Sequence, residues 1–441
     1  LAQKKEIVKM KKLLAVSVCA CFVGSAFAAG FGLYEASARG ISMGNGLVGS
    51  TRDASANYYN PANLTEMTNA SIMVGMTLIN PFSDVKVDGV RQHKMNSGWF
   101  PPPHVYAALP LMDDLVFGFG MYCEYGLGTK YDGDWALRGD TTETTIQQFT
   151  FNPNLAYKIT DDWSVGFGAR LSYITFENYK TPLDSGDLIV PHPALGNLHM
   201  GRQYIRTHLK GDDLNCGYML GTQYKVTDDL RLGLVYRSRI NHRIEGDLDT
   251  DYKDASGQVA SKNAPRNGSA RAKLVLPASV TLGANYDFTK KFRMGAAVTW
   301  TEWSTVDHID FRLPKKYSGQ AASYREDLKW DNAWRVGFGF EYDFTESLTG
   351  GIGYTFDLDP SHKNYGTTML PPGDRHIIGF GLGYRFLDNW SVNLGYSFII
   401  MEATTRNMHG MDASTGAERM FRFETDNSYS HIVSASVSYT F

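Results

Sequence analysis

Few residues in this chain stand where chemistry could be done, and the most promising are arginines. Arg170, Arg237 and Arg335 fall near mid-height on one face of segments whose other face is apolar. A guanidinium presents a planar fork of donors that grips a carboxylate through two bonds, so these residues could hold the acid end of a ligand. The competing reading is that each pairs with an acid of the chain itself, such as Glu124, Glu341, Glu35 or Asp53. Histidines offer less. His93, His104, His192, His199, His242, His308 and His362 are scattered over connecting stretches without the paired spacing of a metal site. A serine hydrolase needs an inward serine, histidine and acid on adjoining strands, whereas His376 and His431 point outward by phase. Cys123 and Cys216 read as isolated, outward, apolar side chains on separated strands. No enzyme activity, metal or cofactor is expected.

The elements that position these residues follow from composition and pattern. Net charge is −3 with 20% charged residues, which gives no basic field for nucleic acid. Aromatics make up 13% and glycines number 44, a balance that favours closely packed strands over helices. Mean hydropathy is −0.28. Beyond the N-terminal segment no run approaches the roughly 18 apolar residues that a membrane helix needs. Residues 1–28 read as upstream sequence and a signal peptide: basic Met10-Lys11-Lys12, apolar Leu13 to Gly24, and a cleavage site at Ala26-Phe27-Ala28. Cys21 offers a lipoprotein alternative, with a shorter apolar region before it.

From Ser71 onward, fourteen segments alternate: 71–80, 103–110, 115–127, 144–158, 163–177, 203–226, 230–245, 270–287, 291–305, 327–342, 348–357, 374–386, 390–402 and 428–441. Trp163, Val165, Phe167, Ala169, Leu171 and Tyr173 share one face, and Ser164, Gly166, Gly168, Arg170 and Ser172 the other. The period is 2, as a pleated strand requires. Short turns such as Thr160-Asp161-Asp162 and Leu387-Asp388-Asn389 take turns with long polar links. That sidedness, and aromatics gathered at the short turns (Tyr157, Trp163, Tyr224, Phe386, Trp390), describe an outer-membrane barrel. A soluble barrel would show the same period with its apolar face inward. The inward set decides against it, since Arg170, Arg231, Arg237, Arg239, Arg293, Arg335, Glu341 and Arg385 cannot fill a dry core.

One long stretch does not alternate. Residues 29–70 are rich in Gly and Ala, and their polar groups have no solvent face. A lumen of fourteen strands is too wide for side chains to fill, and this segment has the size of a plug. The expected architecture is therefore all-β, a transmembrane antiparallel barrel of 14 strands at 71–441 with an N-terminal hatch at 29–70. Within the hatch Asn60-Pro61-Ala62 would act as punctuation, proline fixing the backbone and asparagine bonding to its neighbours.

The runs Gly40-Ile41-Ser42-Met43-Gly44-Asn45-Gly46, Asp53-Ala54-Ser55-Ala56-Asn57 and Asn60-Pro61-Ala62 resemble the N-terminal signature of the FadL family of outer-membrane long-chain fatty acid transporters. Tyr125-Gly126-Leu127-Gly128-Thr129, Asn152-Pro153-Asn154-Leu155-Ala156-Tyr157, Asp162-Trp163-Ser164-Val165-Gly166 and terminal Phe441 extend the resemblance. It implies a monomeric barrel in the outer membrane, bathed in lipid and lipopolysaccharide. It also implies a ligand, a long-chain fatty acid or another hydrophobic small molecule, caught in an outer groove, moved to a pocket near the mature N-terminus, and released sideways at a kinked strand. On that reading Phe31 and Leu33 line the pocket, and the loop 178–202, with Leu195 and Leu198, supplies the groove. Gly126, with Gly128 after it, is the expected kink, because glycine interrupts strands and marks bends. Uptake of aromatic or other hydrocarbons is the nearest alternative; a general porin would lack the hatch.

Overall fold

The computed structural model describes residues 30–91, 95, 98–192, 196–254 and 259–441, so the expected signal peptide lies outside the described residues. Twenty-one strands join in one antiparallel sheet that closes on itself. They are β1 (Ser71–Val87), β2 (Val90–Arg91), β3 (Pro103–Met112), β4 (Leu115–Tyr122), β5 (Gly126–Lys130), β6 (Glu143–Lys158), β7 (Trp163–His192), β8 (Gly196–Lys225), β9 (Leu230–Arg237) and β10 (Ile240–Lys253). Then come β11 (Gly268–Leu276), β12 (Ser279–Asp287), β13 (Phe292–Thr301), β14 (His308–Arg312), β15 (Tyr324–Asp327), β16 (Ala333–Asp343), β17 (Leu348–Asp357), β18 (Arg375–Leu387), β19 (Trp390–Met401), β20 (Thr404–Asp412) and β21 (Ala417–Thr440). Five pairs (β4 and β5, β9 and β10, β11 and β12, β13 and β14, β15 and β16) each continue one line, while β2 and β20 extend hairpins at the long-loop end. Fourteen staves result, and β1 closes the ring on β21 from Ser71↔Thr440 to Val87↔Phe423.

Alternation built this wall because its faces meet different media. Leu155, Phe167, Leu282, Leu382 and Leu394 stand exposed on the outside, while Asn152, Asn154, Ser172, Ser434 and Ser436 are buried on the inside. Where the faces do not differ, the pattern misled. The expected loop 178–202 is instead a continuation of the β7–β8 ladder, with Tyr179 opposite His208 and Val190 opposite Leu198. Standing beyond the bilayer, it has no lipid to impose a period.

Single-residue irregularities produced the other differences. The ladder sums shift by one between β8–β9 (Met219↔Arg237) and β8–β10 (Glu245↔Asp212), so an extra residue enters at 238–239. A bulge of one residue exchanges the two faces. Arg239, expected inward, is therefore exposed and paired with Glu302 outside at 2.8 Å, and His242 turns into the lumen. Arg385 keeps inward phase but sits exposed at the rim. His104 is not on a loop either: it is buried on β3 with Nε2 2.9 Å from Ser436 Oγ.

Residues 30–70 fill the ring as two short helices, Ala38–Ser42 and Ala56–Tyr59, and a 3-10 turn, Pro61–Glu66. Their backbone runs against glycines of the wall in order: Ala38 at Gly395, Ile41 at Gly379, Gly44 at Gly353 and Gly337, Gly46 at Gly295, Val48 at Gly233. A side chain at any of these wall positions would occupy the space of a hatch backbone atom. Polar ties complete the fit. Asn60 Oδ1 accepts from Ala62 N (3.1 Å) while its Nδ2 donates to Val48 O (2.9 Å) and to Thr222 O of the wall (3.0 Å). Arg39 reaches Glu341 with Nε (2.7 Å) and Nη2 (2.8 Å), and Arg293 meets the same carboxylate at 2.8 Å.

Gly295→Val should therefore leave an assembled barrel whose hatch is displaced, at a cost of about 1–3 kcal/mol. Planar-bilayer conductance and sensitivity to large hydrophilic antibiotics should both rise, whereas Gly133→Ala, with nothing within 4 Å of the added carbon, should change neither.

Candidate functional site at the strand break

The third stave is interrupted between β4 and β5. Tyr122 pairs with Thr150 and Gly126 with Gln147, so four steps on this stave match three on β6, and residues 123–125 drop out of the ladder. On the opposite side pairing with β3 ends at Val105↔Met121, and among the described residues β5 pairs with β6 alone. The break falls immediately before Gly126. Gly128 lies in the resumed ladder, opposite Thr145. Cys123, expected to point outward, is half-buried against the luminal apolar cluster, because phase is lost at the break; Cys216 is exposed.

Four of the polar groups at this break are satisfied from elsewhere. The amides of Glu124 and Tyr125 donate to Gln148 Oε1 at 3.0 and 3.2 Å. The remaining edge is taken by the N-terminal arm of the hatch. Leu33 N donates to Glu124 O (2.7 Å) and Gly126 N to Phe31 O (2.9 Å), so Gly32 pairs with Tyr125 as a strand of one rung. Phe31 is held in a box of rings, 5.1 Å from Trp303 and 5.7 Å from both Tyr125 and Trp330. Leu33 lies under Gly126, where a side chain would meet its Cδ1 at 2.8 Å.

The arginines separate into two groups here. Glu124, swung inward and buried, accepts from Arg170 Nη2 at 2.6 Å and lies 3.3 Å from Arg237 Nε; Arg237 also bonds Tyr58 O and covers the Tyr58 ring at 4.9 Å. Arg170 and Arg237 are thus tied to an acid of the chain. Arg335 is not. Its Nε and Nη1 find no hydrogen-bond partner among the described residues, its plane stacks on Tyr34 at 3.8 Å, and with the Asn45 amide oriented to suit both neighbours Nη2 donates to Asn45 at 2.9 Å. The register sets Arg335 opposite Asp357 and Asp357 opposite Arg375, a cation–anion–cation row over three staves. Arg375 is buried, 4.0 Å from Asp357, and its three guanidinium nitrogens lack hydrogen-bond partners among the described residues. Sequence reasoning passed over Arg375, although its inward phase on β18 was available.

Two spaces adjoin these groups. A cavity of about 60 Å³ lies between Leu33, Tyr34, Tyr58, Tyr125, Arg237 and Arg335. Nearer the long-loop end is a vestibule of about 580 Å³ whose lining includes Leu183, Leu209, Leu313, Met408, Lys180 and Glu326. The second falls within the range of about 300–1,000 Å³ in which small ligands are held; the first is far below it. Leu195 lies outside the described residues, and of Leu198 only the backbone is described, opposite Val190.

A hydrolase-like row does exist on the inner wall, at His242, which the sequence reading places on a connecting stretch. His242 Nδ1 is 2.9 Å from Asp213 Oδ2, and Nε2 is 3.1 Å from Ser172 Oγ. That hydroxyl is completely buried and already accepts from Gln148 Nε2 at 2.9 Å. The row braces four staves and offers no open nucleophile.

A closed antiparallel barrel with a plug, a polar inner wall and a lipid-facing belt defines a channel of the outer membrane of Gram-negative bacteria. The chain belongs to the outer membrane protein transport protein family (OMPP1/FadL/TodX), whose model matches residues 19–441. It is 27% identical over 389 residues to a long-chain fatty acid transport protein of Escherichia coli O6:H1, covering 83% of this chain and 85% of the relative. Among solved structures, a Pseudomonas aeruginosa FadL homologue superposes with a TM-score of 0.79 at 21% identity, covering 94% of this chain and all of the other. The P. putida toluene transporter TodX superposes at 0.68 and 19% identity, covering 93% and 99%.

Outside the membrane, burial pushes the Glu326 carboxyl up from 4.5 to about 7, with Asp140 raising it further and Lys180 and the Thr367 hydroxyl opposing. Glu326 borders the vestibule yet is ringed by protein; Thr367 Oγ1 donates to it at 2.9 Å. A carboxyl raised in the folded state is stabilising while protonated, and that contribution is lost as pH climbs from about 4.5 through 7. Hydrogen exchange at 324–327 and 365–368, corrected for intrinsic rate, should therefore quicken over this window, and Glu326→Gln should abolish the change.

Proposed function

We propose that this protein takes up long-chain fatty acids, or similar hydrophobic molecules bearing an acid group, and releases them sideways into the membrane as a monomer surrounded by outer-membrane lipid. The observation that carries the reading is the Arg335–Asp357–Arg375 row. Two buried cations flank one carboxylate without hydrogen-bonding it, and Arg335, which has two unbonded donors, lines the cavity beside the arm. A fatty carboxylate would supply the missing acceptor. The E. coli relative's name supports the same ligand class. On this reading the vestibule captures the molecule, and Phe31 and Leu33 withdraw to enlarge a cavity otherwise too small for it. Their withdrawal also removes the arm's two backbone hydrogen bonds to Glu124 and Gly126 at the break. Leaving through the wall suits a hydrocarbon tail, since each methylene moved into water would cost about 0.8 kcal/mol. Uptake of hydrocarbons is the second reading, favoured by the aromatic box around Phe31 and the likeness to TodX.

Charge-assisted hydrogen bonds contribute about 1.5–3 kcal/mol, so Arg335→Gln with Arg375→Gln should lower fatty-acid affinity about 10- to 100-fold and leave toluene uptake unchanged. Equal loss of both, or of neither, would exclude a carboxylate at this row. Sideways release is tested by a reversible lock. In a background without Cys123 and Cys216, cysteines at Gly32 and Tyr125 face each other at the single rung, with the spacing a disulfide needs. Oxidation should stop uptake and reduction restore it; undiminished transport through the oxidised protein would show another exit.

A further inference from the structure

Above the lipid-facing belt, staves seven to nine carry an outward group of cations that the transport route does not use. Arg243 on β10 lies directly opposite Lys273 on β11, and Arg271, two residues along, lies directly opposite Arg312 on β14. All four side chains are exposed. Like charges facing each other across a ladder repel, so two such pairs side by side are unfavourable unless an anion joins them. The chain supplies little. Glu245 stands 3.3 Å from Arg271, both about two-thirds exposed, and Asp310, the acid beside Lys273, is engaged by Arg325 at 2.9 Å. Asp213 accepts from the backbone N of Arg243 at 3.2 Å, but among the described residues no carboxylate forms an ion pair with the charged end of Arg243, Lys273 or Arg312. Two other exposed cations at the long-loop end of the ring do meet acids: Lys130 meets Glu143 at 2.7 Å, and Arg419 meets Asp88 at 2.8 Å.

Height identifies the partner. On the stave that carries Lys273, the outward apolar belt runs from Val280 through Leu282 and Tyr286 to Phe288. Lys273 lies beyond its upper edge by about 20 Å along the strand. Acyl chains end well below that level, whereas phosphorylated and acidic sugars of an outer-leaflet glycolipid occupy it. Guanidinium forks match phosphate and sugar carboxylate through paired bonds. We propose that Arg243, Lys273, Arg271 and Arg312 form a docking patch for the acidic, phosphorylated sugar headgroup of lipopolysaccharide.

The test uses the full-length protein in detergent micelles, with purified rough lipopolysaccharide as probe and native mass spectrometry or thermophoresis as readout. A basic residue near an anionic membrane surface is worth about a fivefold change, so the triple variant Arg243→Gln, Lys273→Gln, Arg312→Gln should bind on the order of 100-fold more weakly. Heat-modifiable gel mobility checks that it is folded, and Lys130→Gln, outside the patch, should bind as the wild type does. A second arm needs no variant: wild-type protein should lose most of its affinity for the same glycolipid after enzymatic dephosphorylation. Undiminished binding by the triple variant, or equal binding of the dephosphorylated glycolipid, would overturn the proposal. So would capture of phosphatidylglycerol nanodiscs as tightly as lipopolysaccharide, which would make the patch a general anionic-surface contact.

Discussion

The hatch can sit in this barrel only where the wall has no side chains. Gly395, Gly379, Gly353, Gly337, Gly295 and Gly233 lie in order around the ring, on six of the seven staves from β19 back to β9, and the hatch backbone touches each in turn. Contact at backbone distance brings main-chain donors and acceptors of the hatch within reach of wall asparagines: Asn285 accepts from Ser50 N at 2.9 Å and donates to Gly46 O at 3.0 Å. It also brings Arg39 onto Glu341, a buried pair whose disruption would leave an uncompensated charge. A pore as wide as fourteen staves is thereby sealed by about forty residues with almost no regular structure of their own.

The same economy governs the broken stave. Leaving a buried amide unbonded costs about 1–3 kcal/mol, so an interrupted ladder survives only if each freed group finds a substitute. Gln148 serves two amides and the arm serves one amide and one carbonyl. Arg170, Arg237 and Thr150 serve the displaced Glu124 carboxylate. Such compensation marks the interruption as part of the design of the wall.

What could be read from the sequence follows from what made the pattern. All fourteen staves were visible because a membrane wall separates lipid from a polar lumen at every second residue, and the hatch was visible because it breaks that rule. The extension of β7 and β8 beyond the bilayer was not visible, since nothing there enforces a period. A bulge is one residue in hundreds and leaves no compositional trace, which is why Arg239 was assigned to the wrong face. The site lies deeper still. Glu124 finds Arg170 across 46 residues and three staves, and only the register lines up Arg335, Asp357 and Arg375. Inward phase nominated the arginines; it could not say which already had a partner.

The arm at Phe31 to Leu33 belongs at once to the cavity, whose lining it forms, and to the broken stave, whose missing rung it provides. On the proposed route two equilibria share this arm, and they are bound by reciprocity. Whatever factor an occupied cavity adds to the probability of an open rung, an open rung must add to the affinity of the cavity. On the proposed route, loading and opening become a single thermodynamic event.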